Sequence, residues 1–166
     1  MKFDTKRFIA KAAARQVTRQ NQAWAIDFAM LDFADRPFVM LVVDVGTRRP
    51  LSATMSLVVV EDIIAMLERL VRRLGTPEQV WMDYSLAYNS LLLREFHPAL
   101  QAWAEHHRTL LTHDPMPRSV AERPLRDLVG YLRGKRFPTL MDLGHDIERW
   151  RQRYCAAAQP IPDVNQ

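Results

Sequence analysis

The segment from Phe38 to Val45 reads FVMLVVDV and is almost continuously apolar, with several β-branched residues. Such a run is typical of a strand whose two faces are both covered by other parts of the protein. A strand of this kind needs a layer of secondary structure on each side, and a chain of 166 residues is long enough for one such domain. We therefore expect FVMLVVDV to be a central strand of a layered domain.

The other elements are predicted from apolar periodicity and from the positions of Gly and Pro. Two strands are expected beside the central one, Ala23–Phe33 and Pro50–Leu57, and the short ADRP and GTRR connections suit antiparallel hairpins. The later elements are expected in the order helix, strand, helix, strand, helix, helix: 61–74, 79–84, 91–107 with an interruption near Pro98, 108–112, 122–133 and 140–157. This order indicates an α/β fold with a five-stranded mixed sheet flanked by helices.

The net charge of +4 is unevenly distributed along the chain. Residues 1–20 carry six bases and one acid, residues 21–130 carry 11 bases and 14 acids, and residues 131–155 carry six bases and three acids. Basic ends around an acidic centre suit a protein that contacts phosphates at its edges and holds cations in the middle. Ordinary solvated helix surfaces are the alternative explanation.

Neither a membrane span nor a signal peptide is expected. No stretch reaches the roughly 18 consecutive apolar residues of a membrane-spanning helix, and the first residues lack the apolar middle region of a signal peptide. The single cysteine, Cys155, cannot form a disulfide within the chain, and a cysteine-rich zinc site is excluded. We expect a cytoplasmic protein that has no membrane partner and binds no zinc.

Two aspartates are expected on apolar strands, where a carboxylate is unusual. Asp27 lies within WAIDF, and Asp83 ends VWMD. Removing an ionised carboxylate from water is costly unless a partner compensates, and a divalent cation is one such partner because Mg²⁺ prefers oxygen ligands. The alternative is that each aspartate pairs with an arginine or caps a turn. Asp32, Asp35 and Asp44 have the sequence context of turn and strand-end residues.

The first two strands resemble a known family. NQAWAIDF followed by RPFVMLVVDVGTRRPLSATMS closely resembles the opening of the catalytic core of DDE transposases from bacterial insertion sequences and of retroviral integrases. In that family a tryptophan precedes the first catalytic aspartate by three residues, and the second strand ends in an aspartate followed by a basic pair. Trp24, Asp27, Asp44, Arg48 and Arg49 match this pattern.

Two later segments resemble the family's other catalytic motifs. In the family, a Phe or Tyr follows the second catalytic aspartate by five residues and is often followed by a polar pair. VWMDYSLAYNS contains Asp83, Tyr88, Asn89 and Ser90 in these positions. SVAERPLRDL resembles the segment with the third acid, which places Glu122 in that position.

The resemblance covers roughly residues 21–157 and implies a ribonuclease H-like fold with the first and fourth strands side by side. It implies a polynucleotidyl transferase of DNA transposition or integration, in which Asp27, Asp83 and Glu122 hold two Mg²⁺ or Mn²⁺ ions and Asp27 bridges both. The implied partners are DNA, as mobile-element ends and target, and further copies of the chain in a homodimer or higher oligomer. Arg118 and Arg123, near Glu122, could contact the DNA backbone, and solvated helix charges are the alternative.

The expected organisation is a basic connector helix within residues 1–20 (Thr5–Gln20), a catalytic core over 21–157 and a tail over 158–166. The chain has no room for separate DNA-recognition domains, so we expect a fragment of a longer transposase or a minimal relative. Two departures from the family are Ser85, where a glycine is common, and Pro124, which a helix tolerates only if Glu122 lies in its first turn.

Two other functions remain open at this point. One is a catalytically silent assembly or dimerisation domain that keeps the fold. The other is a different ribonuclease H-like metal nuclease.

Overall fold

The computed structural model describes residues 17–33, 36–57, 59–82, 88–90, 95–113 and 120–157. The strands in this part of the chain are β1 (Ala23–Met30), β2 (Phe38–Asp44), β3 (Pro50–Ser56), β4 (Gln79–Met82), β5 (Tyr88–Ser90), β6 (Glu95–Phe96) and β7 (Leu110–His113). The helices are α1 (Val60–Leu74), α2 (Pro98–His107), α3 (Glu122–Leu132) and α4 (Leu140–Ala157).

Five of these strands form a mixed sheet in the order β3-β2-β1-β4-β7. The first three strands pair antiparallel through the two short connections, as expected for hairpins. β4 pairs parallel to β1, and β7 pairs parallel to β4. The predicted five-stranded mixed sheet, with its first and fourth strands adjacent, is confirmed. Because β1, β4 and β7 are parallel, their carboxyl ends lie at the same end of the sheet.

Helices cover both faces of the sheet. On one face, Met40 and Val42 of β2 pack in a cluster with residues of α1 and α2. On the other face, Val39, Leu41 and Val43 of the same strand pack in a cluster with residues of α3 and α4. The prediction that FVMLVVDV is covered on both faces is therefore confirmed, and the domain has three layers.

The expected helix over residues 91–107 is wrong in its first half. α2 begins at Pro98, and residues Glu95–Phe96 instead form β6, which pairs with β5 in a separate two-stranded sheet. Proline disfavours helical geometry in the residue before it, and the His97 side chain accepts a hydrogen bond from the backbone N–H of Ala99 as the N-cap. Residues 91–94 lie outside the described part of the chain.

The expected connector helix over Thr5–Gln20 does not extend to its predicted end. Residues 17–20 are coil, bend and turn, and residues 1–16 lie outside the described part, as does the predicted tail 158–166. A helix cannot continue here because Asn21 has a positive φ of 63° and its backbone N–H donates to the Asp44 carboxylate at 2.5 Å. Within the described ranges, none of the helices is long and apolar enough to cross a membrane.

Candidate functional site

Asp27 lies on the sheet face that α3 and α4 cover. Strand side chains alternate between faces, and Trp24 and Ile26 of β1 pack with α1 and α2 on the opposite face. Asp27 therefore shares the face of Ala25 and Ala29. Its side chain is half-buried, and its Oδ1 accepts a hydrogen bond from the backbone N–H of Phe28 at 2.8 Å.

Asp27 also lies beside the last described pair of the parallel ladder between β1 and β4. That pair joins Ile26 to Met82, and Met82 is in turn paired with His113 of β7. Asp27 is the next residue after this pair in β1, near the carboxyl ends of the three parallel strands. Asp83 follows Met82 in the sequence and lies outside the described residues.

Glu122 is the first residue of α3, and Ala121 is its N-cap. Pro124 is therefore the third helical residue, where the missing N–H removes no hydrogen bond of the helix. The condition that the sequence imposed on Glu122 is met. A carboxylate in the first turn is also stabilised by the positive end of the helix dipole.

The start of α3 packs on the strand face that carries Asp27. Ala25 belongs to an apolar cluster against which Val120 packs. Ala29 packs against the neighbouring cluster, which contains Ala121. Val120 and Ala121, the two residues directly before α3, thus pack in the same clusters as Ala25 and Ala29, which lie two positions before and after Asp27. The structure therefore brings Asp27 and the amino end of α3 to one face of the sheet.

Glu122 already has a cationic partner. Its Oε1 accepts a hydrogen bond and ion pair from the Arg126 guanidinium, one helical turn further along α3. The Glu122 side chain is 38% exposed and that of Arg126 is 68% exposed. Sequence reasoning missed Arg126, although the spacing of four between the acid and the arginine in ERPLR is a recognisable signal.

Arg123 lies on a different side of α3. Asp127, one turn after Arg123, accepts a hydrogen bond from the Trp150 indole of α4 at 2.7 Å. Burial raises the pKa of the Tyr154 phenol, also in α4, while the positive charge of Arg123 acts in the opposite direction. Arg123 is thus an exposed residue close to α4, whereas Arg118 lies outside the described residues.

Asp44 is a structural residue, as its position at a strand end predicted. It is completely buried, and its carboxylate accepts hydrogen bonds from the backbone N–H groups of Asn21 at 2.5 Å and Thr47 at 2.7 Å. These bonds join the segment that enters β1 to the turn between β2 and β3. Gly46 in that turn lies so close to the Arg19 carbonyl that a Cβ atom there would overlap it.

A second buried carboxylate fixes α4 relative to the end of α3. Asp146 accepts hydrogen bonds from the Lys135 ammonium at 2.7 Å and the Tyr131 hydroxyl at 3.2 Å, and Arg149 lies 3.4 Å away. The Lys135 ammonium also lies 3.3 Å from the centre of the Tyr131 ring. Burial alone would raise the pKa of Asp146, but Lys135, together with Tyr131 and Arg149, outweighs this effect and holds the pKa below its ordinary value. The sequence did not single out this cluster.

Another polar cluster joins α1 to α2. Glu68 accepts hydrogen bonds from the Trp103 indole at 2.8 Å and pairs with the His107 ring at 2.7 Å. The hydrogen bond to His107 is the main reason that the pKa of Glu68 lies below its ordinary value. Both helices cover the face opposite Asp27, so this cluster supports the scaffold.

The carboxylate oxygens of Asp27 and Glu122 are suitable ligands for a hard divalent cation. Asp27 is a half-buried carboxylate in an apolar strand, and Glu122 is a partly exposed carboxylate at the start of a helix on the same face. Across the described ranges, which lack Asp83, no three His, Cys, Asp or Glu side chains come close enough to hold a metal ion.

No protein-family model matches this chain, and no curated protein sequence matches it. Solved structures, in contrast, do match this chain. The crystal structure of the catalytic core domain of BIV integrase aligns with a TM-score of 0.64 over 85% of this chain and 88% of that chain, at 13% identity. A chain of the simian T-cell lymphotropic virus intasome in complex with PP2A regulatory subunit B56 gamma aligns with a TM-score of 0.59 over 91% of this chain and 63% of that chain, at 18% identity. The chain therefore has the ribonuclease H-like fold of retroviral integrase cores, as the resemblance implied.

Proposed function

Starting from this integrase-core fold, we propose that the chain catalyses DNA strand cleavage and strand transfer at the ends of a mobile element. Asp27, Asp83 and Glu122 are the proposed ligands of two Mg²⁺ or Mn²⁺ ions. The observation that carries the proposal is the placement of Asp27, a half-buried carboxylate on the sheet face where α3 begins with Glu122. In sheets with parallel strands, ligands commonly bind at the carboxyl ends of those strands.

The three acids have different supports. β1 fixes Asp27 through pairing on both sides, with β2 and with β4 up to the adjacent residue. α3 holds Glu122 by its backbone, and the packing of Ala121 and Leu125 anchors the first turn of that helix. When bound, the two ions would activate a water or 3′-hydroxyl nucleophile and stabilise the leaving oxygen.

The proposal also requires Asp83 to be a metal ligand. Trp81 of β4 packs in the cluster that contains Ala25 of β1, so these two residues share the α3 face. The proposed function requires the Asp83 carboxylate, two positions after Trp81 in the sequence, to bind the same metal ions as Asp27.

The fold and its structural neighbours support the proposed partners. The simian T-cell lymphotropic virus structure is an intasome, and we propose that this chain likewise acts on mobile-element ends and target DNA as a homodimer or higher oligomer. Residues 21–157 are the proposed core, with residues 1–20 as a basic connector and 158–166 as a tail. Arg118 and Arg123 remain proposed contacts to the DNA backbone.

The test is Mn²⁺-dependent nicking of supercoiled plasmid DNA by the complete chain and by its Asp27→Asn, Asp83→Asn and Glu122→Gln variants. Each variant loses an oxygen charge that supports a metal ion, so each is expected to reduce the nicking rate about 100-fold or more. Asp32→Asn is the matched control, because Asp32 is an exposed acid in the bend after β1. It is expected to retain the rate of the original chain.

Two results would reject the proposal. Equal rates for the original chain and Asp27→Asn would show that the nicking does not use these acids. A chain that neither nicks DNA nor binds Mn²⁺ would favour the alternative of a catalytically silent assembly domain.

A further inference from the structure

Glu122, the third proposed metal ligand, forms an ion pair with a cation of the chain itself. The Arg126 guanidinium pairs with Oε1 of Glu122, one oxygen of the carboxylate that would hold a metal ion. Both residues are on α3 with a spacing of four, so the helix backbone alone brings them together. The contact therefore does not depend on any other element of the fold.

Arg126 differs in this respect from the nearest other arginine. Arg123 is on the side of the helix that faces α4, where its charge acts on the Tyr154 phenol. Arg123 and Arg126 are both exposed arginines within four residues of Glu122, but the ion pair to Glu122 involves Arg126. Variants of Arg123 and Arg126 can therefore separate the effect of positive charge near the site from the effect of direct contact with Glu122.

We propose that Arg126 is a positioning residue that holds Glu122 in the metal-free protein and releases it when a divalent ion binds. This inference rests on the proposed function, because it requires Glu122 to be a metal ligand. The guanidinium and the metal ion compete for one carboxylate. Until the metal arrives, Arg126 neutralises the charge of the Glu122 carboxylate.

The strength of the pair suits such an exchange. An ion pair with side chains exposed by 38% and 68% is screened by water and contributes little to stability. A divalent ion held by further carboxylates can displace it, while the pair still weakens metal binding measurably. An energetic contribution in the range of exposed pairs corresponds to roughly a two- to fivefold change in the half-saturating metal concentration.

The test is a titration of the complete chain with Mn²⁺ in the absence of DNA, in which the electron paramagnetic resonance signal reports the free ion. Arg126→Gln removes the competitor and is expected to lower the half-saturating Mn²⁺ concentration by roughly two- to fivefold. Arg123→Gln makes the same change in net charge without removing the contact to Glu122. Its expected shift is less than half as large on a logarithmic scale. Arg126→Lys keeps a cation without the planar guanidinium and is expected to fall between the original chain and Arg126→Gln.

The outcomes separate the two proposals. If Asp27→Asn and Glu122→Gln bind Mn²⁺ like the original chain, these acids are not metal ligands and the proposed function fails together with this inference. If those variants lose Mn²⁺ binding but Arg126→Gln and Arg123→Gln shift it equally, the metal site stands and the role of Arg126 is rejected. Circular dichroism of each variant would confirm that it has kept its fold.

Discussion

Replacing Lys135 with methionine removes the closer of two cations from the buried carboxylate of Asp146. Asp146 is 6% exposed, and Lys135 donates to it at 2.7 Å from the segment that follows α3. Methionine keeps much of the length and apolar surface of the lysine side chain, so the packing against the Tyr131 ring is largely retained. The variant therefore tests the charge interaction that joins the end of α3 to α4.

The expected loss of stability lies between two limits. Removing one partner of a completely buried ion pair costs about 3–5 kcal/mol, because the other charge is left without compensation. Here the Lys135 side chain is itself 35% exposed, and Tyr131 and Arg149 remain beside the carboxylate. We therefore expect a loss of about 2 kcal/mol in the free energy of unfolding.

Urea denaturation followed by tryptophan fluorescence measures this loss. With a slope of about 1–3 kcal/mol per molar urea, the midpoint should fall by about 1 M at neutral pH. Arg136→Met is the matched control, because it removes the neighbouring exposed cation and should change the stability by less than about 0.5 kcal/mol. In an Asp146→Asn background, Lys135→Met should cost much less than it does alone.

The pH dependence gives an independent check. The pKa of Asp146 is lower in the folded protein than its unfolded value of about 3.9, so the stabilisation is present above that value. It is lost as the pH falls through the folded pKa. The difference between Lys135→Met and the original chain should therefore shrink below about pH 3.9. A loss smaller than about 0.5 kcal/mol at neutral pH, or a loss that persists undiminished in acid, would refute the reasoning.

Two further predictions concern the junction where the chain enters the sheet. Gly46→Ala should lower the free energy of unfolding by about 1–3 kcal/mol because its Cβ would overlap the Arg19 carbonyl. Gly130→Ala is the comparison: this glycine lies in the interior of α3 with open space around it, so the substitution should raise the free energy of unfolding by about 0.5–1 kcal/mol. Thermal denaturation of the two variants checks both signs, and equal effects would contradict the close approach. Asp44→Ala should cost about 2–3 kcal/mol because it leaves the backbone N–H of Asn21 and of one turn residue without their acceptor. Asp44→Asn should cost less because it keeps an acceptor oxygen, and a urea midpoint of Asp44→Ala equal to that of the original chain would show that the cap is dispensable.

The elements with strong local signals were predicted well. The apolar run of β2 identified a central strand, and the periodic apolar residues of α1 and α4 identified helices whose bounds agree closely with the structure. Prediction was wrong where a local signal was overridden, as at Glu95–Phe96, which pairs as β6 rather than continuing into α2. A short segment beside a proline has too little periodicity to distinguish a helix from a strand.

For the candidate site, the sequence predicted residues but not their surroundings. Asp27 stood out because a carboxylate in an apolar strand requires compensation, and the structure places it on the face where α3 begins. Glu122 was chosen only through the resemblance to integrases and transposases, and its partner Arg126 was missed. The buried cluster of Asp146 and Lys135 gave no sequence signal, since its members are 11 residues apart on separate elements.

The sequence by itself thus determined most of the strands and helices and which acids are costly to bury, because periodicity and composition act over a few neighbouring residues. Only the tertiary structure decided that α3 and α4 share one face of the sheet, that the Asp44 carboxylate joins the start of β1 to the turn after β2, and that Asp146 is buried beside Lys135. These outcomes depend on contacts between residues far apart in the chain. The free energy of such contacts comes from packing and desolvation in three dimensions, which local sequence patterns do not encode.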